Sequence, residues 1–336
     1  MNTSTPTSAI LLVGGLGTRL APLTFSTPKP MLSVAGIPFT EHQIAKARAA
    51  GITEIVLATS YLSEVFEPYF GDGERFGIHI SYAVEDVALG TGGAIAHAAK
   101  LLRNAGSVVI FNGDILSSHN LRAQMVLHAS SGADVTLHLK EVDDARAFGV
   151  VEMSGDRILT FNEKMENPPT KLINAGCYVF GREVIDSIPT AKVVSVEREV
   201  FPKLLKDGLL MVGYLDPSYW LDIGTPPALL KATADLISGQ AQSIAFNELL
   251  DSTVFYRRVD SLVAADAQID SSARVEAGSL ISHGVRIQAG AAVIGSVIGE
   301  GAEIGSNASL IHSFVAPNTK IPSGFIAENQ FFGFSE

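Results

Sequence analysis

The C-terminal part of the chain obeys a rule of six. Val263, Ile269, Val275, Ile281, Ile287 and Val293 stand six residues apart, and after one slip of register Ile298, Ile304 and Leu310 take up the same step. A half-buried strand alternates with a period of two and an amphipathic helix with 3.6, so neither produces this spacing. A coil built of hexapeptides does, because every sixth side chain points inward and stacks on its equivalent one coil away. Small residues such as Ala273, Ala277, Ala289 and Gly290 fill the intervening corners. The region is expected to be a parallel β-helix. It carries no cluster of acids, bases or metal ligands, so its expected role is structural, with stacked faces available for association between copies.

Residues 10–238 keep a different rhythm. Short apolar runs at Ile10–Val13, Glu54–Ala58, His79–Ala83, Val108–Phe111 and Val135–Leu139 read as strands. Helical periodicity fills the gaps at Glu41–Ala50, Ser63–Phe70, Gly93–Leu102 and Asn120–Ala129. This alternation predicts an α/β domain with a mixed, mainly parallel sheet and helices on both faces. Later strands around Val150, Leu159, Ala175–Phe180 and Met211–Tyr214 are less regular, as an inserted substrate-binding lobe would be. The expected divisions are a catalytic domain over 1–238, a linker over 239–262, a β-helix over 263–325 and an aromatic tail over 326–336. The tail, with Phe331, Phe332 and Phe334, is expected to pack on the rest of the chain or on a neighbouring subunit.

Composition narrows the partners. With 336 residues, 47% of them hydrophobic, the chain has ample material for a packed core. A net charge of −11 with no basic run argues against nucleic acid or an anionic membrane as partner. Any phosphate site must then be a local concentration of Arg and Lys. Cys177 is the sole cysteine, so no intrachain disulfide is expected and a reducing cytoplasm fits. Its apolar surroundings mark it as a packing residue rather than a nucleophile. The N-terminal MNTSTPTS lacks the charged and apolar regions of a secretion signal, and no 18-residue apolar stretch occurs.

Chemistry is concentrated in residues 14–38, GGLGTRLAPLTFSTPKPMLSVAGIP, directly after the run Ala9–Val13. Glycines at the carboxyl end of a strand let backbone N–H groups approach phosphate oxygens, where open α/β sheets bind ligands. A dinucleotide fingerprint begun at Gly15 would need glycine where Leu20 stands, and no Gly-Lys-Ser/Thr run offers a P-loop. Arg19 adds a cation, and Pro28 and Pro30 restrict the backbone on either side of Lys29, fixing where that cation points. The loop predicts a nucleotide-using enzyme.

The whole string resembles the nucleotidyltransferase loop of the sugar-nucleotide pyrophosphorylases, GGxGTRLxPLTxxxPKPMxxVxGxP. The resemblance extends over residues 9–238 and implies a Rossmann-like nucleotidyltransferase domain followed by a short left-handed parallel β-helix. The implied reaction joins an NTP to a sugar 1-phosphate and releases pyrophosphate. Arg19 and Lys29 would be the catalytic cations, on the leaving phosphates and the α-phosphate respectively. Val13, Gly14, Gly15, Gly17, Thr18, Gly90, Thr91, Asn112 and Gly113 would hold the nucleotide. Asp114 after a buried strand and Asp222 in WLDIGTP match the family's metal motifs and would bind Mg²⁺ together; either alone could instead be a helix cap. Glu163 and Lys164 resemble the family's EK pair for a sugar hydroxyl and the sugar phosphate, with Gly149 and Asn174 lining the pocket. Tyr219 and Trp220 either stack on the sugar or belong to the core.

Glu85 falls where the family reads the base. A glutamine there pairs with the mixed donor and acceptor of a pyrimidine edge, whereas a carboxylate only accepts and suits the adjacent N1 and N2 donors of guanine. Together with LGTGGAI, NAGCYVF and VSVEREVFPKLL, this makes the chain similar to the bacterial mannose-1-phosphate guanylyltransferases of that family. GTP, mannose 1-phosphate and a homo-oligomeric assembly are thus implied. Heptose 1-phosphate as acceptor, a glucose-1-phosphate uridylyl- or thymidylyltransferase, and a regulatory sugar-nucleotide-binding subunit are the alternatives. The last should lack loop cations or a metal acid, and this chain has them.

Overall fold

The computed structural model describes residues 5–15, 17–25, 27–59, 63–104, 106–190 and 192–334. Leu16 and Ser26 of the glycine loop, residues 1–4 of the N-terminal stretch and residues 335–336 of the aromatic tail lie outside the described residues. The chain divides into two bodies, neither of them continuous. The first comprises residues 1–15, 43–115 and 119–220; the second comprises 16–42, 116–118 and 221–336.

The first body is built on nine strands: β1 (Ser8–Leu12), β2 (Glu54–Thr59), β3 (His79–Val84), β4 (Val108–Asn112), β5 (Val135–Glu141), β6 (Gly149–Ser154), β7 (Arg157–Glu163), β8 (Leu172–Phe180) and β9 (Met211–Leu215). They lie in the order β3-β2-β1-β4-β8-β5-β9-β7-β6. The first four are parallel and in register, with Ile10 between Val56 and Ile110. Their apolar runs are continuous because both faces are covered. Beyond β4 the sheet is mixed. β8 runs antiparallel to β4 and β5, β9 runs parallel to β5, and β7 runs antiparallel to β6 and β9. The reversal between β6 and β7 follows from their short connection: Ser154 pairs with Arg157 around Gly155, whose φ of 56° suits a tight hairpin. Phe161, Tyr178, Phe180 and Phe201 pack edge to face or tilted in the core, with ring centroids 5.0 to 5.9 Å apart. Cys177 is buried, and desolvation pushes its thiol up to about 12, so it packs as a small apolar group.

Helices α1 (Phe39–Ala50), α2 (Gly90–Ala98) and α3 (Leu121–Ser131) fall where helical periodicity predicted them. Asn120 caps α3, accepting from the N–H of Ala123. Among the described residues no helix is long and apolar enough to cross a membrane.

The second body contains α4 (Pro226–Ser238), α5 (Ile244–Asp251) and the solenoid. Thr225 and Ser243 cap the two helices, and α5 lies inside the stretch 239–262 expected as a linker. The solenoid has parallel strands on three sides, the arrangement expected of a left-handed parallel β-helix. On one side Val263, Ile281, Ile298, Val315 and Phe332 pair in succession; on the others run Ile269, Ile287, Ile304, Ile321 and Val275, Val293, Leu310, Ala327. Residues 326–328 and 331–332, set apart above as a tail, thus supply strands of the last coil.

The register slip is not a single event. Val293 to Ile298, Leu310 to Val315 and Ala327 to Phe332 are all steps of five, at the same corner of successive coils. The first coil turns that corner on two left-handed residues, Ala277 and Gly278; later coils use one, Gly295, His312 or Asn329, with φ of 55°, 46° and 55°. Beside this corner runs a buried column of serines. The Oγ of Ser279 accepts from the N–H of Ser296 at 3.1 Å, that of Ser296 from Ser313 at 3.0 Å, and that of Ser313 from Gln330 at 3.1 Å.

Candidate active site

In the first body the expected nucleotide residues collect at the carboxyl ends of β1 and β4. The N–H of Gly113 donates to the carbonyl of Leu12, and a Cβ at Gly113 would sit 2.2 Å from that oxygen. Only glycine allows the Asn112-Gly113-Asp114 turn to close on the end of β1, beside Val13 and Gly14. Gln43 of α1 braces the turn, donating to the carbonyl of Asn112 at 2.8 Å. The Asn112 Nδ2 donates to the hydroxyl of Tyr178, 3.4 Å away, while its Oδ1 is buried with no hydrogen-bond partner among the described residues. Asp114 is half-buried immediately after this turn.

Glu85 follows β3 directly. Its Oε2 accepts from the N–H of Leu89 at 3.2 Å, and its Oε1 is buried with no hydrogen-bond partner among the described residues. Burial raises its pKa, partly offset by the Leu89 bond and by His97. The glycines that follow have a packing reason of their own. A Cβ on Gly90 would lie 2.6 Å from the Val194 carbonyl oxygen, and one on Gly92 would lie 2.9 Å from the Val194 side chain. Thr91 gives its hydroxyl to Glu197 and accepts from the N–H of Val196, both at 2.9 Å.

The expected sugar residues lie on the antiparallel part of the sheet. Gly149 pairs with Glu163 across β6 and β7. A Cβ at Gly149 would sit 2.5 Å from the Phe161 ring and 2.9 Å from the Glu163 carboxylate, so glycine leaves these side chains their place. Lys164 ends the strand in the left-handed region, φ 53°, with its ammonium exposed and 3.8 Å from Glu163. Burial raises the pKa of Glu163, as does Glu197, while Lys164 and Arg198 act in the opposite direction. Pairing of β8 with β5 slips between Asn174 and Tyr178, and Gly176 adopts φ 74° inside the slip. Such bulges re-aim side chains. Here Asn174 Nδ2 donates to the Tyr178 hydroxyl at 2.9 Å, so one buried phenol receives both Asn112 and Asn174. Trp220 donates its indole N–H to the Ala175 carbonyl at 3.0 Å and packs edge-on against Phe148, which holds its ring in the wall of this lobe.

In the second body Thr18–Leu20 and Lys29–Met31 form single 3-10 turns. Gly17 has φ 62°, and a Cβ there would meet the Lys29 stem at 2.9 Å. Thr24 closes the loop by donating to the Gly17 carbonyl at 3.1 Å. Arg19 lies against the Asp222-Ile223-Gly224 stretch of the same body. A Cβ on Gly224 would sit 2.8 Å from an Arg19 guanidinium nitrogen and 2.9 Å from Asp222 Oδ1. Arg19 also lines a cavity of about 590 Å³ with Pro226, Lys231, His312 and Phe331.

Three residues near these sites were not singled out by sequence reasoning: Tyr178, Glu197 and Arg198. Glu197 and Arg198 stand in an ordinary run of mixed charge, and their only signal was the resemblance of VSVEREVFPKLL. Among the described residues no group of three or more His, Cys, Asp or Glu side chains could hold a metal ion. Asp114 in the first body and Asp222 in the second, the residues expected to bind a metal, carry hard carboxylate oxygens, the donor type that divalent cations such as Mg²⁺ take.

Residues 8–239 match the nucleotidyl transferase family model, and residues 251–329 match the GlmU-like C-terminal hexapeptide model. The chain is 48% identical over 289 residues to the mannose-1-phosphate guanylyltransferase of Mycobacterium tuberculosis, covering 85% of this chain and 78% of that protein. It is 35% identical over 307 residues to mannose-1-phosphate guanylyltransferase 1 of Arabidopsis thaliana, covering 85% and 84%. Among solved structures, HddC from Yersinia pseudotuberculosis complexed with GMP-PN superposes with a TM-score of 0.58 at 27% identity, covering 68% of this chain and 98% of that one.

Proposed function

This chain belongs to the nucleotidyl transferase family, and on that premise we propose that it transfers GMP from GTP to α-D-mannose 1-phosphate, releasing pyrophosphate. The observation that carries the guanine reading is Glu85. One of its carboxylate oxygens is fixed by Leu89, and the other is buried without a donor among the described residues. A buried acceptor left alone costs about 1–3 kcal/mol, which a base presenting N–H groups would recover.

The reaction brings a phosphate monoester against the α-phosphorus of an anionic triphosphate. Two like unit charges about 4 Å apart repel by about 4 kcal/mol at an effective dielectric of 20, and several such terms add. In this reading Lys29, its stem seated on Gly17, faces charge developing at the α-phosphate. Arg19 takes the β and γ phosphates and favours departure of pyrophosphate. Gly14, Gly15 and Thr18 line the phosphates, and Asn112 and Gly113 the nucleoside. Lys164 holds the sugar phosphate, while Glu163 and Asn174 hold sugar hydroxyls. Nucleotidyl transferases of this type use a divalent metal. We assign it as Mg²⁺ on Asp114 and Asp222, where it would neutralise the non-bridging phosphate oxygens. The step is an in-line displacement by positioning and charge neutralisation, without a covalent enzyme intermediate. The proposed setting is the cytoplasm, and the proposed working form a homo-oligomer.

The test is a pyrophosphate-release assay crossing four NTPs with mannose, glucose and heptose 1-phosphates. The expected outcome is release with GTP and mannose 1-phosphate above every other pair. Highest turnover with UTP or dTTP, or with a heptose 1-phosphate, would replace this reading with the corresponding alternative.

A further inference from the structure

We propose that Glu197 is a positioning residue that couples the nucleotide turn at residues 89–93 to the sugar pocket around Glu163; the proposal rests on the function just given. Residues 196–200 form a single π-helical turn, with the Val200 N–H donating to the Ser195 carbonyl at 3.2 Å. Lone π turns interrupt regular helix at a cost and recur at functional sites. This one continues directly into the helix Phe201–Lys206.

Glu197 is the side chain that fastens it. Its Oε2 accepts from the hydroxyl of Thr91 at 2.9 Å and from that of Ser195 at 3.0 Å. The Thr91 hydroxyl in turn accepts from the N–H of Val196, closing a ring between the first turn of α2 and the π turn. The backbone repeats the attachment: Val194 N–H donates to the Leu89 carbonyl at 2.9 Å, and Gly92 N–H donates to the Val194 carbonyl at 2.8 Å. Leu89 is also the residue that holds Glu85. Leu89 thus links the base-reading carboxylate to segment 194–197 through a single residue, its N–H on Glu85 and its carbonyl on Val194.

The π turn also packs against β7, the strand that ends at Glu163. Glu163 interacts electrostatically with Glu197, Lys164 and Arg198, and Tyr178 interacts with Glu197. Glu197 thus belongs to both surroundings without being expected to touch either substrate. Hydrogen bonds to a charged acceptor are the stronger kind, and coupling between two ligands is commonly 5- to 150-fold.

Three variants separate positioning from mere support. Glu197→Gln keeps an acceptor oxygen for both hydroxyls, Glu197→Ala removes it, and Thr91→Val removes the bridge while leaving the carboxylate. Mannose 1-phosphate binding is measured by calorimetry with and without a non-hydrolysable GTP analogue, alongside KM and kcat. In the wild type the analogue should tighten sugar-phosphate binding on the order of tenfold. Glu197→Ala and Thr91→Val should lose that gain and raise the KM for mannose 1-phosphate more than they lower kcat. Glu197→Gln should retain most of the coupling. Persistent coupling in Thr91→Val or in folded Glu197→Ala overturns the proposal, as does its absence from an active wild type. A wild type that releases no pyrophosphate from GTP and any sugar phosphate fails the functional reading instead.

Discussion

A carboxylate at position 85 accepts hydrogen bonds and donates one only when protonated, so its selectivity and its titration are the same property. Burial raises the pKa of Glu85, stabilising the acid that cannot receive both guanine donors. The KM for GTP should therefore climb as pH falls through a range above the ordinary glutamate value near ~4.3. Glu85→Gln should abolish that limb and lower kcat/KM for GTP relative to UTP about 10- to 100-fold, the scale set by an unmatched buried polar group. An unchanged preference or an unchanged acid limb would remove Glu85 from base recognition. The type of residue at 85 was legible in the sequence because donor and acceptor chemistry follows from identity alone. The packing of Gly90 and Gly92 was not. Gly90 was expected to hold the nucleotide and Gly92 carried no expectation, and the presence of Val194 against them depends on contact with a segment about a hundred residues away.

Elements were most legible where a period repeats. The aliphatic step fixed which side of each coil faces inward, because stacking on an equivalent residue leaves no other solution. The corners were harder. A five-residue step shows once in Val293 to Ile298 and then recurs beneath residues as unlike as His312 and Asn329, both left-handed despite their side chains. Neither is the glycine such a corner suggests. The serines at 261, 279, 296 and 313 are fully buried, yet a serine in sequence reads as loop. Only stacking shows that Ser279, Ser296 and Ser313 each supply the acceptor for a backbone N–H of the next coil. Ser296→Val, close in shape, would leave the Ser313 N–H without that acceptor and should cost about 1–3 kcal/mol. Urea denaturation checks this. A loss below about 0.5 kcal/mol, the scale of ordinary surface substitutions, would mean the column is replaceable.

Over the whole molecule, four buried histidines set a common pH limit. Desolvation lowers His42 and His128 to about 4 and His138 to about 3, and it holds His119 well below its usual value. Unfolded, each takes a proton near 6.5; folded, His42 and His128 stay neutral to about 4, His138 to about 3, and His119 well below its usual value. Their stability contribution is thus complete above 6.5 and drains away as pH falls towards 4. Each can account for up to about 2 kcal/mol lost by pH 5. Melting temperature measured from pH 7 to pH 5 should fall steeply; a flat profile would mean these side chains find protons or water in the folded state. None was marked in the sequence. His138 lies in a strand among Leu137 and Leu139 and becomes buried on its second face only in the fold.

The division of the chain bears on how such an enzyme could be taken apart. Residues 16–42, which carry Arg19 and Lys29, belong to the same body as the solenoid. Gly36 lies against Leu249, Phe255 and Leu262, and His42 is held by Ser243 at 2.6 Å. A cut at residue 238 would therefore strip the glycine loop's body of the contacts that Ser243, Leu249, Phe255 and Leu262 give it, while leaving every one of its motifs intact on paper. For anyone building chimeras, the transferable module is not the first 238 residues. A foreign solenoid would have to bring a cradle shaped for this loop.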